Sequence, residues 1–156
     1  MTHRLPYPKA RKGFTLVELA VVIVIIGVLA AFGVPRFLKS VERSKASEAF
    51  AYLAAVRSSQ ERYLAQYGEY SSDVTKLDIQ YPAPAYFAVG AITATQSTWT
   101  LTLTRTGASA GYGAYTVTFT DQGYDTANST ISTMGDINPI SNNSANSSGG
   151  SGGGGS

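Results

Sequence analysis

Glu18 is the only ionisable side chain in the run from Phe14 to Val34, FTLVELAVVIVIIGVLAAFGV, whose 21 residues are apolar apart from it and Thr15. A carboxylate in a membrane helix costs about 2.5–3.5 kcal/mol on insertion scales and needs a partner or water. Two chemistries meet that need. Within four residues of the start of the run, Glu18 can extend to the interface and stay hydrated. Alternatively it pairs with a cation supplied from elsewhere.

Little else in the chain could do chemistry. Cysteine is absent, so neither a disulfide framework nor a thiolate metal site is available. The single histidine, His3, lies before Gly13, and no nucleophile, base and orienting group can be assembled from motif or spacing, so an enzyme is not expected. Arg4, Lys9, Arg11 and Lys12 precede Gly13 with no acid among them, which leaves 8 basic residues against 10 acidic ones in the rest of the chain. The body after Gly13 therefore offers no general attraction for nucleic acid, and no specific nucleic-acid partner is expected.

At roughly 1.5 Å per residue the run from Phe14 nearly matches a hydrocarbon core of about 30 Å, which predicts a single membrane span over 14–35. The basic residues ahead of it place its N-terminus in the cytoplasm and send the body outward. Gly27, Gly33 and Pro35 are tolerable in a membrane helix, so the helix is expected to continue through them into residues 36–67. There Ala49, Leu53, Val56, Gln60, Tyr63 and Tyr67 recur at spacings of four and three, an apolar stripe with Glu42, Arg43, Lys45, Glu48, Arg57, Glu61 and Arg62 mostly off it. Gly68 reads as the stop, giving one helix from Phe14 to Tyr67 on the order of 80 Å long.

Beyond Gly68 the period changes to two. It is loose in YFAVGAIT, residues 86–93, and clear in TWTLTLTRT and AYTVTFT, where apolar residues alternate with threonines on either side of the Gly-rich GASAGYG. This predicts a hairpin whose apolar face is covered by the stripe on the long helix. From Asp121 onward turn-forming residues dominate, and SNNSANSSGGSGGGGS has no means of burying itself; it is either a native tail or a linker. The fold class is α+β: a long N-terminal helix, half transmembrane and half amphipathic, packed on a small antiparallel sheet head. The expected organisation is a leader at 1–13, a transmembrane assembly helix at 14–35, an amphipathic helix at 36–67, a head at 68–136 and a flexible tail at 137–156.

The junction KGFTLVELAVVIVIIGVLAAFGVPRF resembles the precursors of type IV pilins and of type II secretion pseudopilins, at nearly every position from Lys12 to about Arg36. The resemblance implies cleavage by a prepilin peptidase between Gly13 and Phe14, N-methylation of the new Phe14 amine, and assembly through this segment into a helical filament of identical subunits. It also implies that Glu18 pairs with the Phe14 amine of its own or a neighbouring subunit, and that the helix unwinds near Gly27, Gly33 and Pro35 on assembly. The implied partners are membrane lipid before assembly, the peptidase, and the pilus assembly machinery. The implied location is the bacterial inner membrane, then an extracellular pilus or a periplasmic pseudopilus. Two departures are the missing cysteine pair that staples the C-terminal loop of many relatives, and a leader on the long side.

The function expected is thus a structural subunit, major-pilin-like, of a type IV pilus, with adhesion, twitching motility or DNA uptake as outputs. The alternative is a pseudopilin, and a third reading, a membrane-anchored binding domain, requires Gly13 to stay uncut and Glu18 to be dispensable. No cofactor is expected. Asp121, Asp125, Asn128 and Asp136 are ordinary turn residues whose oxygens offer calcium as an alternative use. The many tyrosines and phenylalanines are explained by core packing more cheaply than by electron conduction along a filament.

Overall fold

The computed structural model describes residues 13–141 of the chain. The leader up to Lys12 and the stretch from Asn142 onward, including most of the expected tail, lie outside the described residues. The chain divides between Phe37 and Leu38 into two compact units. Helix α1, Leu16–Tyr67, supplies the first unit and continues into the second, with Pro35 inside it.

In the second unit the buried face of α1 is Glu42, Ala46, Ala49, Phe50, Tyr52, Leu53, Val56, Ser59 and Gln60. The expected stripe holds from Ala49 to Gln60, weakens at the half-buried Tyr63 and has left the core by Tyr67, which is 59% exposed. Gly68 ends the helix at φ 77°, its N–H reaching the Leu64 carbonyl at 2.8 Å, a left-handed cap that glycine adopts without steric cost. Gln60 is fully buried yet satisfied, because its Nε2 donates to the Ser71 carbonyl at 2.7 Å and its Oε1 accepts from the Ser71 N–H at 2.9 Å.

Five antiparallel strands form one sheet: β1 (Phe87–Val89), β2 (Thr93–Ala94), β3 (Trp99–Arg105), β4 (Thr116–Thr120) and β5 (Gly123–Tyr124). The order is β1-β3-β4-β5, with β2 also paired to β3. The β3–β4 register sets Leu101 opposite Phe119 and Leu103 opposite Val117, so these apolar side chains share one face, and the Thr100–Thr120, Thr102–Thr118 and Thr104–Thr116 pairs share the other. Trp99, Leu101, Leu103, Val117 and Phe119 meet Ala46, Ala49, Phe50, Leu53 and Val56 of α1 in a single core. Each fully buried Leu or Val there contributes about 1.5–3 kcal/mol relative to exposure. Phe50 anchors an aromatic cluster, with ring centroids 5.9 Å from Phe119 and 5.0 Å from Tyr124.

Three features differ from the sequence-based expectation. The stretch 86–93 is two strands, because Gly90 breaks it: its N–H donates to the Thr102 carbonyl at 3.0 Å, and a Cβ there would sit 2.7 Å from that oxygen. The head also extends past residue 136, since Ile137 is wholly buried and Asn138 nearly so, while Lys39 pairs with Asp136 at 2.6 Å and Arg43 donates to the Pro139 carbonyl at 3.3 Å. The turn-rich segment is ordered by its own hydroxyls: Ser129 Oγ accepts from the Thr118 N–H at 2.8 Å and Thr130 Oγ1 from the Thr116 N–H at 2.7 Å, along an edge of β4.

A further correction concerns Glu42, expected off the apolar stripe and found in the core at 1% exposure beside Arg105 at 2%. Arg105 Nε donates to Glu42 Oε1 at 2.6 Å and Nη2 to Oε2 at 3.2 Å, a two-pronged contact. Tyr115 donates its hydroxyl to Glu42 Oε1 at 2.9 Å, and Lys45 Nζ stands 3.6 Å from Oε2. The remaining guanidinium protons go to the carbonyls of Tyr86, Thr106 and Ala108, so one buried cation ties α1 to the start of β1 and to the β3–β4 loop. Burial pushes the Glu42 carboxyl up, but the hydrogen bonds from Arg105 and Tyr115 and the charges of Arg105 and Lys45 outweigh it and hold the group below its ordinary value.

Trp99, the one tryptophan, reports on this core. Gly90→Ala should cost about 1–3 kcal/mol by overpacking against backbone, read as a lower urea midpoint in Trp99 fluorescence. Arg105→Met leaves Glu42 buried without its main partner and should cost about 3–5 kcal/mol by the same measurement. Because the folded-state Glu42 titrates low, its stabilisation is complete above the ordinary carboxylate range and is lost as the pH falls through the folded value. Between about pH 6 and pH 3 the unmodified chain should therefore lose more stability than Glu42→Gln, and parallel losses would show that the pair contributes nothing.

Candidate functional site

In the first unit Gly13, Phe14 and Thr15 precede α1, and Glu18 lies in its first turn. Four N–H groups at a helix start have no partner within the helix, and here two are met reciprocally. Thr15 Oγ1 accepts from the Glu18 N–H at 3.2 Å, while Glu18 Oε2 accepts from the Thr15 N–H at 2.8 Å and from the Thr15 hydroxyl at 3.0 Å. This is a capping box, and its signature, Thr-x-x-Glu before an apolar run, stands openly in the sequence. Thr15 is a site residue that a reading of Glu18 by its charge alone does not reveal; the Thr-x-x-Glu spacing is the signal that finds it. Both contacts to backbone and hydroxyl fall on Oε2, and among the described residues Glu18 has no cationic partner.

The glycines near this end are not explained by packing within the chain. A Cβ added at Gly13, Gly27 or Gly33 would meet nothing within 4 Å. None of the three adopts a positive φ. The apolar side chains beside them are similarly uncovered: Phe14 is 77% exposed, and Leu16, Val17, Ile23, Leu29, Phe32 and Phe37 are all exposed. Helix α1 is unbroken through Gly27, Gly33 and Pro35 in the single chain. It is also the one described helix long and apolar enough to cross a membrane.

The structure keeps Gly13, Phe14 and Glu18 together at one end of α1, with Gly27, Gly33 and Pro35 further along the same helix. It does not bring the four turn residues into a cluster. Asp125 accepts from the N–H groups of Ala127 and Asn128 and from the Asn128 side chain, Asp121 from Gln122, and Asp136 from Lys39. Among the described residues no three His, Cys, Asp or Glu side chains are grouped as metal ligands.

Comparison with known proteins bears on the same two stretches. The family model described as the prokaryotic N-terminal methylation motif matches residues 8–34. The model described as type IV minor pilin ComP, DNA uptake sequence receptor, matches residues 35–129, more than half of the chain. A fimbrial protein of Pseudomonas aeruginosa is 37% identical over 73 residues, 47% of each chain. The type IV major pilin protein PilA of Myxococcus xanthus is 45% identical over 60 residues, 38% of this chain and 27% of that one. The type IV narrow pilus major component PilA5 of Thermus thermophilus is 55% identical over 47 residues, 30% of this chain and 40% of the relative. The matched stretch thus spans about half the length, or less, of these curated relatives. With one model on the apolar helix and the next continuing through the head, the chain belongs to the type IV pilin family.

Proposed function

We propose that the chain is a major-pilin-like structural subunit of a type IV pilus, cut between Gly13 and Phe14 by a prepilin peptidase and polymerised through the first part of α1. The observation that carries this is the uncovered apolar run from Phe14 to Phe37 with a single carboxylate, Glu18, at its start. Lipid can cover the apolar surface, but only a cation compensates the carboxylate well once water is excluded. A cut before Phe14 supplies an amine one turn from Glu18. Reaching across to a neighbour, the pair would set the register of an incoming subunit while the apolar helices pack. Gly13, which the fold of the chain does not require, is then explained by the peptidase that must approach it. The precursor would lie in the inner membrane with its N-terminus cytoplasmic, and the head would reach the cell surface in the filament.

The description of the model matched over residues 35–129 favours a second reading, a minor pilin that receives DNA. Charge opposes it. Between Leu38 and Ser141 there are 7 Lys and Arg against 9 Asp and Glu. Of those cations, Arg105 is buried, and Lys39 and Arg62 are paired with Asp136 and Asp78. A duplex binder needs several unpaired cations on one face. A pseudopilin differs from both in copy number and stays within the envelope.

Intact-mass spectrometry of filaments sheared from cells should find a chain that begins at methylated Phe14. Glu18→Ala should lower the yield of sheared filament by at least about tenfold while leaving the precursor in the membrane, and undiminished yield would remove Glu18 from assembly. Gly13→Leu should leave an uncut chain of unchanged head stability. If that variant is still processed and assembled, the glycine has no part in recognition by the peptidase.

A further inference from the structure

Two clefts adjoin at the C-terminal end of α1 and share Tyr63 and Lys76 as a common wall. One, of about 250 Å³, is completed by Arg62, Gln66, Tyr67 and Asp78. The other, of about 340 Å³, is completed mainly by Glu69, Tyr70, Ser72, Thr95 and Gln96. The first lies just below and the second at the lower end of the roughly 300–1,000 Å³ of pockets for drug-sized ligands, and each is suited to a single sugar ring.

The lining is unusual in what the fold leaves unused. Tyr63 and Tyr67 lie one turn apart with ring centroids 4.4 Å from each other and planes tilted by 35°, and Tyr67 is 59% exposed. An aromatic ring kept in water at the end of a core stripe gives up the free energy its burial would supply. Arg62, which lines the first cleft, is paired with Asp78 at 2.8 Å and donates to Ser59 Oγ at 2.9 Å. Gln66 and Gln96, one in each cleft, and Lys76 between them make no side-chain hydrogen bond within the described residues, which leaves the two amides as donors and acceptors and the ammonium as a donor.

We propose that the paired clefts around Tyr63, Tyr67 and Lys76 bind a neutral β-linked glycan, one pyranose ring lying on the Tyr67 face and its neighbour entering the second cleft. A pyranose with equatorial hydroxyls has apolar C–H faces that stack on an aromatic ring. Its hydroxyl edge needs groups that both donate and accept, which the Gln66 and Gln96 amides provide. Charge selects against a polyanion, because the lining carries two cations, Arg62 and Lys76, and two carboxylates, Glu69 and Asp78. Tyr67 lies outside the core, so its removal should leave the fold intact.

The test uses the full chain in a detergent without a sugar headgroup, titrated with cellopentaose and followed by backbone amide NMR. Saturable shifts confined to the segments around Gln66 and Lys76 are expected. Tyr67→Ala should weaken binding about tenfold and Gln66→Ala severalfold, both with an unchanged urea midpoint. Absence of saturable shifts, equal affinity in Tyr67→Ala, or tighter binding of a short single-stranded oligodeoxynucleotide at the same amides would overturn the proposal. Assembly plays no part in this measurement, so its outcome is independent of whether the chain builds a filament.

Discussion

A sheet of five short strands cannot keep its apolar face in water, and in this head the cover is the buried face of α1. The longest strands, β3 and β4, have seven and five residues, too few to be stable as an isolated hairpin. The covering stripe passes from small residues to larger ones, so that Ala46 and Ala49 admit the sheet closely while Phe50, Leu53 and Val56 fill the space between its side chains. At either end of the stripe a polar residue is buried and fully engaged, Glu42 with Arg105 and Gln60 with Ser71. They fall on one face because the interval from 42 to 60 is about five helical turns. The apolar stretch between them supplies stability, and the two polar contacts fix where β3 and the chain after Gly68 attach to the helix.

The parts of this arrangement visible in the sequence are those that follow from periodicity. The four-three spacing from Ala49 to Gln60 gave the buried stripe, the period of two in β3 and β4 gave the hairpin, and Gly68 gave the end of the helix. Continued backward from Ala49, the same spacing arrives at Ala46 and then at Glu42. A glutamate on a helix is ordinarily solvated, and nothing local announces that Arg105, distant in sequence, meets this one. Gly90 was hidden for a related reason. Its constraint is the carbonyl of Thr102 on another strand, a contact that exists only once the register of the sheet is set. The order of residues 121–141 rests on hydroxyl-to-backbone bonds from serines and threonines, which in composition look the same as a loop.

At the start of α1 the constraint is entirely local. Thr15 and Glu18 carry a local signature, readable without any tertiary contact, and the structure forms it. The capping box uses one carboxylate oxygen and begins the helix at Leu16, close behind the junction at Gly13 and Phe14. The side chain that answers a helix end in the single chain is therefore the one with an oxygen left over for a charge from elsewhere. The role assigned to Glu18 in assembly does not require it to give up its place in the fold.

The hydroxyls of Ser129 and Thr130 that occupy the N–H groups of Thr118 and Thr116 have a meaning beyond the order of their own segment. Strand borders with free donors and acceptors are templates on which another chain can extend a sheet. On this side of the sheet β5 and those two side chains fill the border, and on the other β1 is only three residues long. With one border filled and the other this short, the head offers another chain little free strand edge, and the large uncovered apolar surface is that of the helix in the first unit, so the surface open to further copies of the chain is helical rather than sheet-like.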